Sequence, residues 1–134
     1  MTRSQLNGYG ALILALTFAS GVAAQAYGNY NKTMPAGRTL QLGHYASVNG
    51  DCSSKGRVEI RVTREPSSGV VRITQRAGYS HFSGDYQQCS ADRVFGASAA
   101  YTPQRDFIGS DSFQFDIIYP SGRERFDSYT ITVK

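Results

Sequence analysis

Polar and apolar residues alternate along several short stretches of the chain, which is the pattern of half-buried β-strands. The clearest stretches run from Arg57 to Arg64, Gly69 to Arg76, Ser112 to Tyr119 and Arg125 to Val133. Less regular runs, Thr39 to Val48, Arg93 to Tyr101 and a weak pair around Tyr79 to Cys89, bring the total to about seven strands. No stretch predicts a convincing helix. The positions predicted to face a core are Val58, Ile60, Val62, Val71, Ile73, Phe113, Phe115, Ile117, Tyr129, Ile131 and Val133. This number of strands in about a hundred residues predicts an all-β sandwich of two packed antiparallel sheets.

The N-terminal segment, residues 1–26, has a different character. Ala11 to Ala24 reads ALILALTFASGVAA, and Arg3 is the only charged residue before Lys32. This apolar run is shorter than the roughly 20 residues that span a bilayer, so it favours a cleavable signal peptide over a retained anchor. Ala24 and Ala26 form an A-x-A site, which predicts cleavage after Ala26, with Ala24 as the second choice. We therefore expect a periplasmic or secreted protein with no membrane span in its mature part.

The mature chain is expected to hold one domain. Residues 27–37, YGNYNKTMPAG, are polar and rich in turn formers, which predicts a flexible N-terminal arm. Residues 38–134 then form the sandwich. There is no internal repeat and no second domain boundary.

Both cysteines, Cys52 and Cys89, lie in the exported part. An oxidising compartment favours a disulfide between them, which would close a loop of nearly forty residues. The spacing is not C-x-x-C, and no ligand set surrounds either residue, so a redox pair or a metal site is the less favoured interpretation.

The charge of the mature chain is small and positive. Thirteen of the 14 basic residues and all 10 acidic residues follow residue 26, a net charge of 13 − 10 = +3. This bias is too weak to indicate a nucleic-acid partner. It is compatible with a surface that meets acidic polymers.

The C-terminal half carries a recognisable series of motifs. These are Tyr101-Thr102-Pro103, then F-x-G-x-D-x-F-x-F from Phe107 to Phe115, and Y-x-I-x-V from Tyr129 to Val133. Glu65 to Val70, EPSSGV, adds a P-x-x-G-x-V turn. The series resembles the bacterial Ig-like and cadherin-like repeats of exported proteins, and the resemblance covers roughly the last seventy residues. It implies an Ig-like sandwich.

Within the motif, Gly109 and Asp111 are predicted to be structural. Glycine adopts backbone angles that a corner requires, and an aspartate there accepts hydrogen bonds from the backbone of the turn. The chain departs from the family pattern in having one copy and no D-x-N-D-N cluster, so the resemblance implies neither calcium nor any other metal or cofactor.

Catalytic motifs are missing from the sequence. There is no G-x-S-x-G, H-E-x-x-H or phosphate-binding glycine loop. The two histidines, His44 and His81, are best interpreted as structural, and no catalytic residue is predicted.

There is no Trp for a sugar-binding platform. Core or corner packing is the favoured role of the tyrosines outside the clear strands, Tyr27, Tyr30, Tyr45, Tyr79 and Tyr86.

A possible anion-binding patch follows from one assumption about pairing. If Arg57 to Arg64 and Gly69 to Arg76 form a hairpin through the loop Glu65 to Ser68, arginines lie opposite each other on its outer face. The patch would comprise Arg57, Arg61, Arg72 and Arg76. The favoured alternative is a solvated face whose charge is offset by acidic residues of a neighbouring strand. Arginine suits carboxylate and phosphate groups because its guanidinium is a planar fork of donors.

These observations predict an exported, non-enzymatic binding or interaction module. Its partner would be an anionic envelope polymer or an acidic protein. Two alternatives remain open. The first is a small secreted enzyme or enzyme inhibitor, which would need a cleft joining a histidine to an acid and a hydroxyl. The second is a structural subunit that pairs through a sheet edge.

Overall fold

A computed structural model describes residues 26–134. The predicted signal peptide lies almost entirely outside the described residues. Seven strands are present: β1 (Ala26–Met34), β2 (Leu40–Tyr45), β3 (Glu59–Arg64), β4 (Gly69–Gly78), β5 (Val94–Pro103), β6 (Gly109–Ile118) and β7 (Glu124–Val133). A 3₁₀ helix, η1, spans Gly84–Ala91.

The strands form two sheets packed as a β-sandwich. One sheet has four strands in the order β1-β7-β6-β3, and the other has three in the order β2-β5-β4. The orders 7-6-3 and 2-5-4 correspond to the G-F-C and B-E-D strands of the immunoglobulin fold, with the first strand added beside the last. The predicted all-β sandwich of about seven strands is confirmed.

The core lies where the predicted alternation placed it. Phe113, Phe115, Ile117 and Ile131 of the four-stranded sheet are fully buried, and Tyr101 of β5 meets them from the other sheet. The Tyr101 and Phe113 ring centroids are 5.3 Å apart. Aromatic side chains from both sheets therefore fill the space between them, as is usual for aligned sandwiches.

The predicted flexible arm is wrong. Ala26–Met34 form β1, which pairs with β7 along its whole length and runs parallel to it, so the four-stranded sheet is not wholly antiparallel. Tyr30 stacks on Tyr129 with ring centroids 4.9 Å apart, and Met34 is buried in the core. Backbone pairing and these two side chains order a segment whose composition is otherwise typical of a loop.

The weak pair of strands predicted around Tyr79 to Cys89 is also wrong. Most of this segment forms a loop and the helix η1. Cys89 is fully buried in a small second cluster with Ala46, Val48 and Val94. It forms the predicted disulfide with Cys52, whose Cα lies 5.3 Å away. The disulfide thus ties the helix to the loop between β2 and β3.

Gly109 and Asp111 lie at the start of β6. Gly109 has a φ of +140°, a conformation that side-chain-bearing residues rarely adopt. The Asp111 carboxylate accepts hydrogen bonds from the backbone N–H groups of Ser67 and Ser68, at 2.9 and 3.0 Å, and from the Tyr101 hydroxyl at 2.7 Å. It therefore joins β6 to the loop that crosses between the sheets and to a strand of the opposite sheet.

Candidate functional site

The four arginines of the predicted patch do not share a surface. β3 pairs with β6 in one sheet and β4 pairs with β5 in the other, so the predicted hairpin is wrong. Arg57 precedes β3 and pairs with Glu59. Arg61 lies opposite Asp116 in the register between β3 and β6. The alternation of apolar residues identifies the buried face of each strand, but it does not show which sheet the strand joins.

The other two arginines line a groove on the outer face of the three-stranded sheet. Arg72 and Arg76 project from the same face of β4, and the groove has a volume of about 480 Å³. We call this cavity the outer groove. None of its lining residues is acidic. They are Thr39, Gln41, Gly69, Val70, Arg72, Thr74, Arg76, Ser98, Ala99, Ala100, Thr102, Pro103 and Gln104.

Ser98 lies at the centre of the groove's hydrogen bonding. It belongs to β5, the middle strand, and is largely buried between the side chains of its neighbours. Its Oγ lies 2.7 Å from Nδ1 of His44 and accepts a hydrogen bond from Nε of Arg76 at 3.1 Å. This contact restrains one end of the Arg76 guanidinium.

The His44 ring is held in one orientation. Its Nε2 lies 2.9 Å from the carbonyl oxygen of Val94, which can only accept, so Nε2 carries a proton. In the neutral ring Nδ1 then accepts from the Ser98 hydroxyl. Gly96 leaves space for the ring, because a Cβ there would lie 3.0 Å from Nε2 and 2.2 Å from the Tyr45 carbonyl oxygen.

The guanidinium of Arg72 is available for a ligand. Among residues 26–134 it has no hydrogen-bond or ion-pair partner, and its side chain is exposed. At one end of the groove the hydroxyl groups of Thr39 and Thr102 lie 2.8 Å apart. The groove therefore offers two cationic groups with hydroxyl and amide groups around them, an arrangement suited to anions with polar substituents.

A catalytic triad is incomplete in the outer groove. His44 reaches a hydroxyl there, but the group on its second nitrogen is a backbone carbonyl rather than a carboxylate. The other histidine, His81, is exposed in the loop before η1. In the part of the chain that the structure describes, no group of three or more His, Cys, Asp or Glu side chains could hold a metal ion.

Two of the tyrosines singled out from the sequence belong to a polar cluster between the sheets. The Tyr45 hydroxyl donates to the fully buried carboxylate of Asp127 at 3.0 Å and lies 2.8 Å from the Tyr129 hydroxyl. Arg125 donates to the same carboxylate at 2.7 Å and to the Tyr30 hydroxyl at 2.6 Å. The hydrogen bonds and ion pair satisfy a buried charge, so the cluster is structural.

Ionisation of these groups reflects their burial. Burial raises the pKa of Tyr129 to about 12 and also raises the pKa of Tyr45. Its hydrogen bond with Asp127 raises the pKa of Arg125. Burial opposes ionisation of Asp111, but hydrogen bonds from Tyr101 and three backbone N–H groups outweigh it and lower the pKa of that carboxyl.

The remaining tyrosines have other surroundings. Tyr27 is exposed and stacks on Phe126, with ring centroids 5.6 Å apart. Tyr79 is exposed, and Lys55 lies over the ring of Tyr86 at 5.6 Å. None of them lines the outer groove.

The residues that β2 and β5 contribute to the groove could not be identified from the sequence patterns. Gln41, Ser98 and Thr102 are small or uncharged, and they belong to no motif. The available signal was the Ala- and Gly-rich run from Arg93 to Tyr101, since small residues along a central strand leave its face open.

Within residues 26–134, no helix has the length and apolar character needed to cross a membrane.

No protein-family model matches the chain, and no significant similarity to a curated protein was found. Among solved structures the chain is similar to a 2,6-sialyltransferase of a Photobacterium species, crystallised with CMP and lactose. The two are 15% identical, with a TM-score of 0.40, and the match covers 84% of this chain and 18% of the sialyltransferase. A likeness this weak carries no argument about fold or function.

Proposed function

We propose that the chain is an exported, non-enzymatic binding module whose outer groove takes an anionic ligand. The observation that carries this proposal is the pair Arg72 and Arg76 in a groove with no acidic lining residue. The signal-like sequence of residues 1–26 and the disulfide support export.

The proposal depends on which acidic residues lie near each arginine. Of the other two predicted patch arginines, Arg57 forms an ion pair with Glu59, and Arg61 lies opposite Asp116 in the strand register although the two side chains form no ion pair. Arg72 has no such partner in the described part of the chain, and the Arg76 guanidinium contacts only the neutral Ser98 through Nε. Positive charge with no acidic neighbour attracts anions and steers their approach.

The test is titration of the protein, produced from its full-length chain in an exporting host, with dextran sulfate. Unsulfated dextran is the matched neutral probe. We expect binding of the sulfated polymer only, and its loss in the double variant Arg72→Gln/Arg76→Gln. The matched control is Arg57→Gln/Arg61→Gln, which removes the same charge from β3 of the other sheet and the residues just before it. Equal losses in the two variants would show a general charge effect and refute the groove.

One observation favours a second candidate, a small secreted hydrolase. The 2.7 Å contact between Ser98 Oγ and His44 Nδ1 has the geometry of a nucleophile and its base. A fluorophosphonate probe and p-nitrophenyl acetate test it. The binding proposal predicts no labelling of Ser98 and no hydrolysis above that of a Ser98→Ala variant. Labelling of Ser98 with esterase activity lost in Ser98→Ala would replace the binding proposal with the hydrolase.

A further inference from the structure

We propose that the ligand of the outer groove is a linear anionic polysaccharide that lies along β4 and β5 and contacts Arg72 and Arg76 together. This inference rests on the proposed function and specifies the class of ligand. An acidic protein and a nucleic acid are its rivals, and the structure argues against each.

The spacing of the two arginines favours a chain with repeated charges. They lie four residues apart on one face of β4, so their Cα atoms are separated by about 13 Å along the strand. The hydrogen bond to Ser98 restrains Arg76, while Arg72 is unrestrained. A small anion bound at one arginine leaves the other unused, whereas a linear polyanion engages both and gains affinity from the second contact.

The floor and walls of the groove suit sugar hydroxyl groups. Ala100 and Ser98 lie opposite Arg72 and Thr74 in the register between β4 and β5, and their small side chains leave the strand surface open to an extended ligand. Hydroxyl and amide side chains surround this floor, and they both donate and accept hydrogen bonds. They are Thr39, Gln41, Thr74, Thr102 and Gln104.

The lining argues against the two rival polymers. Protein interfaces depend on buried aromatic and arginine anchors that fill pockets, and single-stranded nucleic acids bind by stacking bases on aromatic rings. No aromatic residue lines the outer groove, so bases could not stack there, and a sugar chain would be held by charge and hydrogen bonds rather than by ring stacking.

The test compares sulfated isomalto-oligosaccharides of one, two, four, six and eight glucose units, with unsulfated oligosaccharides of the same lengths as controls. We expect affinity to rise with length and then level off once both arginines are engaged. Arg72→Gln and Arg76→Gln should each weaken the binding of the longest oligosaccharide about fivefold. Each should also reduce the slope of log affinity against log salt by about one. Arg61→Gln should change neither quantity.

The outcomes separate this inference from the proposed function. Suppose that dextran sulfate binds through the groove but the sulfated monosaccharide binds as tightly as the sulfated octasaccharide. The site then binds a single sulfate group, and the polysaccharide inference is overturned. Equal affinity for poly-glutamate or single-stranded DNA of matched charge overturns it in favour of that rival. If no polyanion binds, dextran sulfate included, the proposed function itself fails.

Discussion

The Asp111 carboxylate is predicted to be a major determinant of stability, and replacing it with asparagine is the sharpest test. Oδ1 accepts from the backbone N–H groups of Ser67 and Ser112, both at 2.9 Å. Oδ2 accepts from the N–H of Ser68 at 3.0 Å and from the Tyr101 hydroxyl at 2.7 Å. In Asp111→Asn one oxygen becomes an NH₂ group, so a donor faces donors on one side of the group.

The magnitude follows from these contacts. A hydrogen bond to a charged group contributes about 1.5–3 kcal/mol, and two of the contacts lose their acceptor. We therefore expect Asp111→Asn to lower the free energy of unfolding by about 3 kcal/mol at pH 7, a large part of the roughly 5–15 kcal/mol typical of a domain. Urea denaturation followed by circular dichroism measures this difference. The matched control is Asp106→Asn in the loop just before β6, where the residue is exposed and its φ of 62° suits asparagine.

The pH dependence gives an independent check. The pKa of Asp111 is lowered in the folded protein. Its carboxylate therefore stabilises the fold fully above the unfolded pKa of about 4, and this contribution is lost as pH falls through the lower, folded pKa. The gap between the wild type and Asp111→Asn should narrow steadily below about pH 4. A loss of less than about 0.5 kcal/mol at pH 7, or a gap that stays constant with pH, would refute the assignment.

Three further predictions concern the interior. Tyr45→Phe leaves Oδ2 of the buried Asp127 without its hydrogen-bond donor, so it should lower the free energy of unfolding, measured by urea denaturation, by about 2 kcal/mol. The control Tyr79→Phe, on the surface, should change the free energy of unfolding by less than about 0.5 kcal/mol. Burial raises the pKa of Tyr129 to about 12. The neutral side chain therefore contributes fully to the free energy of unfolding below the unfolded pKa of about 10, and this contribution should be lost between about pH 10 and 12. A urea midpoint that is the same at pH 9 and pH 11.5 would contradict this. Reduction of the Cys52–Cys89 disulfide opens a loop with a sequence separation of 37 and should cost about 4 kcal/mol, measured by thermal unfolding with and without reductant.

The sequence predicted the inward-facing side chains best in strands that have one buried face and one face exposed to solvent. In β3, β6 and β7 the apolar positions recur every second residue, so the inward side chains were identified directly. The strand β1 was missed because its stability comes from pairing with β7 rather than from its own composition. Its Gly, Asn and Lys residues have low strand propensity, and only the distant partner makes the segment a strand.

Sheet membership could not be predicted from the same pattern. The four residues between β3 and β4 would fit a hairpin, yet they carry the chain from one sheet to the other. Ser67 and Ser68 in this loop donate to Asp111, a contact 43 to 44 residues away in the sequence. Long-range contacts of this kind decide which sheet a strand joins, and a local alternation of apolar residues carries no information about them.

The corrected placement of the arginines changes the reasoning about function. The hairpin model placed like charges directly opposite each other, an unfavourable arrangement that a basic patch would have to tolerate. In the folded chain Arg61 instead lies opposite Asp116, and Arg57 pairs with Glu59. The charge of Arg57 is therefore offset locally, and Arg61 has an acidic residue opposite it in the register although the two form no ion pair. On the three-stranded sheet, Arg72 lies opposite Ala100 and Arg76 lies opposite Gly96. Because no acidic side chain lines that groove, the anion-binding hypothesis is stronger for two arginines than it was for four.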